Sequence, residues 1–207
     1  MNHDIFIFGS TVRGEVGASS DIDVLVIPVN TVSPEVYPAS WSIYSRETIR
    51  SYYEEGRLFA WHLHLESRCI YSASSEHWLE TLGCPAAYRS AREDVASLTA
   101  LLCDSLFELQ SGTESVIYEL GICYTALRDI AMSASWHLTG RPCFSRYAPF
   151  MLPGAQIPIG LEVYEQAMMA RHFSTRGSAQ PRAPEDAIAA FIKAPLLEWA
   201  QTLGDVL

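Results

Sequence analysis

The order of the sequence predicts an α+β fold class, a small mixed β-sheet followed by an α-helical bundle. Two apolar runs rich in β-branched residues, Asp4 to Phe8 and Ile22 to Val29, come first. After Pro85 the texture changes to long stretches with apolar residues at helical spacing. Strands followed by helices imply segregated layers. A first domain is therefore expected at residues 1–84 and a helical, substrate- or partner-binding domain at 85–207.

Each element has a local reason. Asp4 to Phe8 stops at Gly9-Ser10, and Ile22 to Val29 is closed by Pro28 and Asn30; both read as buried strands. Pro34 to Pro38 is a loop. Arg46 to Glu55 is a helix, capped near Ser45 and ended at Gly56. Leu58 to Tyr71 reads as one long strand, with Phe59, Trp61, Leu63 and Leu65 on one face and His62, His64 and Glu66 on the other. Helices follow at Ala86 to Gln110, Glu114 to Leu138, Leu161 to Ser174 and Ala187 to Leu203. The loop Arg141–Pro158 and the polar linker Arg176–Pro184 separate them.

Composition excludes several functions. The chain carries 24 acids against 14 Lys plus Arg, a net charge of −10, and only one lysine, Lys193. A nonspecific grip on nucleic acid needs a cationic surface, so that role is not expected. An acidic surface attracts a cationic substrate or a basic partner instead. No run of apolar residues is long enough to span a membrane, and no basic start or small-residue cleavage site marks the N-terminus, so the protein is read as cytoplasmic. The five cysteines are widely spaced and odd in number, which supports neither zinc ligation nor a disulfide framework.

The chemistry concentrates in Phe8-Gly9-Ser10-Thr11-Val12-Arg13-Gly14 and Ser20-Asp21-Ile22-Asp23-Val24. A strand ending at Gly9 lets a phosphate approach bare backbone. Ser10 offers a hydroxyl and an amide, and Arg13 a planar cation suited to phosphate oxygens. Asp21 and Asp23, at i and i+2 on a strand, share a face. Two such carboxylates repel unless a cation lies between them, and Mg²⁺ prefers oxygen ligands shared with substrate phosphates.

This joint pattern resembles the signature of the DNA-polymerase-beta-like nucleotidyltransferase superfamily, which includes the minimal nucleotidyltransferases and the aminoglycoside adenylyltransferases. The resemblance covers about residues 4 to 29. It implies that Gly9 and Ser10, with Arg13 and Ser20, bind the nucleotide, that ATP is the donor, and that Asp21 and Asp23 hold Mg²⁺ in a two-metal site. The family's third acid sits on a later strand, where Glu66 is the candidate, either as a metal ligand or as the general base found in streptomycin-type adenylyltransferases. The plain alternative is a surface pair of Glu66 with Arg68. His62 and His64 share its face, where a solvated or hydrogen-bonded role is the simpler expectation. The family commonly has a helix ahead of the first strand, so the layer covering the sheet is expected from elsewhere in the chain or from a partner.

In the helical half, Glu119, Ile122, Cys123, Ala126, Ile130 and His137 fall on one stripe of the Glu114–Leu138 helix. A carboxylate there needs a partner or a wet cavity. Glu119 is therefore a candidate for acceptor binding, as on a comparable helix of kanamycin-type enzymes, or forms a structural pair with an arginine or His137. Arg128 and His137 are too far apart for the Arg…His motif of HEPN ribonucleases, so RNase activity is not expected. Two functions remain. One is transfer of a nucleoside monophosphate, AMP from ATP, to a hydroxyl of a small, cationic acceptor such as an aminoglycoside. The other is an antitoxin-type nucleotidyltransferase that binds a toxin protein and modifies it by AMP transfer. A protein partner or a homodimer is compatible with either.

Overall fold

The computed structural model describes residues 3–17, 20–29, 37–73, 77–176 and 185–207. Residues 34–36 of the expected loop and 177–184 of the expected linker lie outside them. The chain divides into two compact units, Met1–Arg89 and Ser90–Leu207. Among the described residues, no helix is long and apolar enough to cross a membrane.

The first unit runs β1 (His3–Phe8), α1 (Ser10–Arg13), β2 (Asp23–Pro28), β3 (Ser42–Ile43), α2 (Arg46–Glu55), α3 (Leu58–Glu66), β4 (Ser67–Tyr71) and α4 (Trp78–Thr81). The sheet has the order β3-β2-β1-β4 and is mixed. β1 pairs antiparallel with both β2 and β4, while β2 and β3 are parallel. Val24 to Ile27 are all buried, which is why β2 reads as an unbroken apolar run. Phe6, Phe8, Leu25 and Ile27 pack with Ile49 and Tyr53 of α2 and with Ala60 and Leu63 of α3. The covering helical layer therefore comes from downstream elements of the same unit.

α2 forms where expected. Ser45 Oγ accepts the Thr48 amide at 3.0 Å, and Gly56 ends the helix with φ +67°. Gly56 is doubly required, because a Cβ there would sit 2.4 Å from the Ala86 carbonyl oxygen.

The expected strand Leu58–Tyr71 is corrected by the structure. Its first nine residues are α3, and only Ser67–Tyr71 is extended. Alternation of apolar and polar residues from Trp61 to Glu66 suggested period two. The positions actually buried are Ala60 and Leu63, three apart, while Leu65 is exposed. Tertiary burial against the sheet selected the helical period. His64 consequently leaves the face of Glu66, while His62 keeps it as an i, i+4 helical neighbour.

A buried polar node ties β1 to its surroundings. Asp4 is wholly buried and accepts from Arg46 Nη2 at 3.0 Å, Ser72 Oγ at 2.8 Å and the Ala73 amide at 3.0 Å. Three donors offset the desolvation of its charge.

The second unit contains α5 (Ala91–Ser111), α6 (Val116–Thr139), α7 (Ala148–Met151), α8 (Leu161–Arg176), α9 (Glu185–Lys193) and α10 (Leu196–Asp205). The helix expected over Ala187–Leu203 is two helices. Ala194 and Pro195 separate them, and Pro195, with no amide proton to continue α9, caps α10 instead. α6 is central, with buried residues around most of its circumference from Ile117 to Ser135. Its Gly121 lies against α8, where a Cβ would stand 2.8 Å from Arg171 Cα and 3.0 Å from its nitrogen.

Two stability outcomes follow from these contacts. Asp4→Ala strands the Arg46 guanidinium and two further donors, and should cost about 2–3 kcal/mol by urea unfolding. Gly121→Ala sets a helix-propensity gain of up to about 1 kcal/mol against overpacking of about 1–3 kcal/mol on rigid backbone. A net loss of stability is expected, larger still for Gly121→Val, and a stabilised Gly121→Ala would refute the close approach of α6 and α8.

Candidate active site

The end of β1 sets the geometry. Gly9 turns the chain with φ +73° and ψ −142°, a conformation open to glycine and strained for other residues. Its carbonyl accepts the amides of Val12 and Arg13 at 3.1 and 3.2 Å, which winds the single turn of α1. Gly14, with φ +76°, closes that turn. The register pairs Phe8 with Asp23, so the first residue of β2 lies beside the Gly9 turn. A Cβ on Gly9 would be 2.7 Å from Asp23 Oδ2 and 3.8 Å from His62 Cε1. Gly9 thus leaves room for an acidic oxygen and an imidazole at the loop.

β2 begins at Asp23, one residue later than expected. Ile22 is 62% exposed, and Asp21 lies just ahead of the strand with its side chain in solvent. The Thr11 hydroxyl donates to the Asp21 carbonyl at 3.5 Å, linking α1 to the segment that carries the acids. Ser20 closes a turn, its hydroxyl accepting the Gly17 amide at 2.8 Å. Asp21 and Asp23 are both exposed at the end of the sheet from which α1 departs.

Arg13 and Glu66 meet across 53 residues of sequence. Arg13 Nη1 donates to Glu66 Oε2, and its Nε and Nη2 reach Glu15 Oε2 at 3.2 and 3.1 Å. His62 Nε2 lies 3.0 Å from the same Glu66 oxygen. Arg13, Glu66 and His62 side chains are only 17%, 17% and 19% exposed, so this is a shielded cluster. Burial pushes the Glu66 carboxyl up. The hydrogen bonds from His62 and Arg13, with their positive charge, outweigh it and hold the group below the usual carboxylate range. Arg68 Nη1 donates to the Ser67 carbonyl at 2.9 Å. The His62 ring stands edge-on to Phe8, with centroids 5.4 Å apart.

Among the described residues, no three or more His, Cys, Asp or Glu side chains are arranged to hold a metal ion. Glu66 instead faces a cation already present, Arg13. Sequence reasoning placed Gly9, Asp23, Arg13 and Glu66 in one site and left His62 with a solvated or hydrogen-bonded role. It overlooked Glu15, which showed only as an acid two residues from Arg13.

In the second unit, Glu119 is half-buried in the first turn of α6. Burial, and then the Glu119 charge, push the neighbouring Cys123 thiol up to about 12. His137 is exposed in the last turn of the same 24-residue helix, too distant to pair with Glu119. Arg128 is held by Asp129, with Nε and Nη2 both 2.7 Å from Oδ1, and lies over the Tyr124 ring.

Residues 2–66 match the family model described as a nucleotidyltransferase domain. No curated protein matches the chain. Among solved structures, the spectinomycin adenyltransferase AAD(9) from Enterococcus faecialis, solved with ATP and spectinomycin, is similar at 13% identity and a TM-score of 0.46. The similarity covers 97% of this chain and 92% of that one. That likeness is too distant for fold or substrate to transfer. The matched residues include the Gly9-Ser10 turn, Arg13, Asp21, Asp23 and Glu66, so this N-terminal segment is similar to a nucleotidyltransferase domain.

Proposed function

We propose that the protein transfers AMP from ATP to a hydroxyl of a small cationic acceptor. The juxtaposition of Gly9 and Asp23 carries this reading: an acidic oxygen lies against a turn that only a residue without Cβ can form. In this reading, Gly9 and Ser10 receive the β- and γ-phosphates, Arg13 adds a planar cation, and Ser20 holds the loop leading to the acids. Asp21 and Asp23 offer hard oxygen donors at an exposed site, which suits an ion that keeps several waters and shares its shell with phosphate. Mg²⁺ held there would neutralise the charge that develops as pyrophosphate leaves.

Glu66 accepts the proton of the acceptor hydroxyl as that oxygen bonds to the α-phosphorus and the bond to the β-phosphate oxygen breaks. His62 orients the Glu66 carboxylate. Glu119, a half-buried carboxylate on α6, is assigned to acceptor binding. The net charge of −10 favours a cationic acceptor.

Asp23→Asn should retain the fold, lose AMP transfer by at least roughly 10²-fold, and weaken Mg²⁺-dependent ATP binding in calorimetry. Gly9→Ala should do the same while also lowering the melting temperature, because the methyl group meets Asp23 and the backbone is strained. ATP binding by the wild type that is indifferent to both substitutions would remove the site from this loop.

A further inference from the structure

The cluster around Arg13 contains a conflict that the proposed reaction must resolve. The same guanidinium that should take a phosphate is committed to two carboxylates, Glu15 and Glu66. The carboxylate that should accept a proton is held by Arg13 and His62, which together make it a weak base. Neither residue can play its part while they hold each other. Asp21 and Asp23 add two further acids at the same loop, so without Arg13 this end of the sheet is strongly anionic.

We propose that Arg13 is a latch on Glu66: it binds the Glu66 carboxylate when the phosphate loop is empty and exchanges it for a nucleotide phosphate when the loop fills. The inference rests on the nucleotide-binding reading given above. Its physical basis is that guanidinium pairs with carboxylate and phosphate through the same forked donors, so one partner can replace the other with little reorganisation of the side chain. Arg13 sits on α1, directly after the Gly9-Ser10 turn, and Glu66 is reached by one of its arms only. His62, whose ring lies beside the Gly9 turn, remains on Glu66 Oε2 after the exchange and keeps the carboxylate in place. Arg13 is thus a positioning residue: it makes the proton acceptor available only where a nucleotide is present.

A latch has a thermodynamic signature. Nucleotide must break the Arg13–Glu66 pair in order to bind, so its apparent affinity is the intrinsic affinity scaled by the fraction of molecules that are unlatched. Removing the Glu66 charge should therefore tighten nucleotide binding even as it removes the base. The experiment is a double-mutant cycle read by calorimetry, with Mg²⁺ and a non-hydrolysable ATP analogue as the probe, on wild type, Glu66→Gln, Arg13→Gln and the double variant. Circular dichroism melts confirm that each variant is folded, and Glu66→Ala serves as a second variant if Glu66→Gln is not.

Glu66→Gln is expected to bind the analogue about ten- to hundred-fold more tightly, the scale of one charge-assisted hydrogen bond. Arg13→Gln is expected to bind it more weakly. In the Arg13→Gln background, Glu66→Gln should change nothing. Weaker binding by Glu66→Gln would overturn the latch and make Glu66 a ligand of the metal–nucleotide complex. Equal tightening with and without Arg13 would overturn it in favour of simple relief of negative charge. Unchanged binding would overturn it as well. In each of these cases a wild type that binds the analogue leaves the nucleotidyl-transfer reading standing, whereas a wild type that binds no nucleoside triphosphate removes both.

Discussion

The absence of a side chain at position 9 is the constraint on which the N-terminal unit depends. β1 must stop, reverse direction into α1 and still leave room for the carboxylate of Asp23, whose Oδ2 would lie 2.7 Å from any Cβ placed there. Glycine meets both demands, the unusual backbone angles and the close approach. The antiparallel register of β1 and β2 then does the rest, since pairing Phe8 with Asp23 fixes the acid at the turn. A slip of one residue would move every side chain of β2 to the opposite face and bury the acid. The buried run Val24–Ile27 makes that slip prohibitive, so apolar packing in the sheet determines where the charge stands.

Charge balance is the second organising principle. Arg13 is the cation that Glu15 and Glu66 share, and the sheet end also displays Asp21 and Asp23. Such an assembly is tolerable because Arg13 is shielded with Glu66 rather than exposed, where an ion pair would be worth little. In the nucleotidyl-transfer reading proposed above, a polyphosphate entering this site would meet acids first, so it would have to bring cations and compete for Arg13.

The second unit follows different physics. Its core is organised around α6, and at Gly121 two helices approach so closely that backbone meets backbone. Arg128 is held locally by Asp129, and the Tyr164 hydroxyl donates to the Arg146 carbonyl at 2.8 Å. Glu119 is a half-buried carboxylate, and its charge adds to the effect of burial in raising the neighbouring Cys123 thiol.

Sequence by itself determined the fold class, the bounds of α2, and the loop that brings Gly9, Ser10 and Arg13 before Asp21 and Asp23. All of these rest on short-range chemistry: β-branched runs, an N-cap and glycines. Tertiary structure decided what depends on burial or on distant partners. Leu58 to Glu66 alternates like a strand, yet it is helical because Ala60 and Leu63 must face the sheet, and no local pattern distinguishes the two periods over nine residues. That choice put His62 one helical turn before Glu66 and gave the acid an imidazole partner. The meeting of Arg13 with Glu66 was equally hidden, because an ion pair closed across 53 residues leaves no periodic trace and exists only once the chain has folded both ends onto the same sheet.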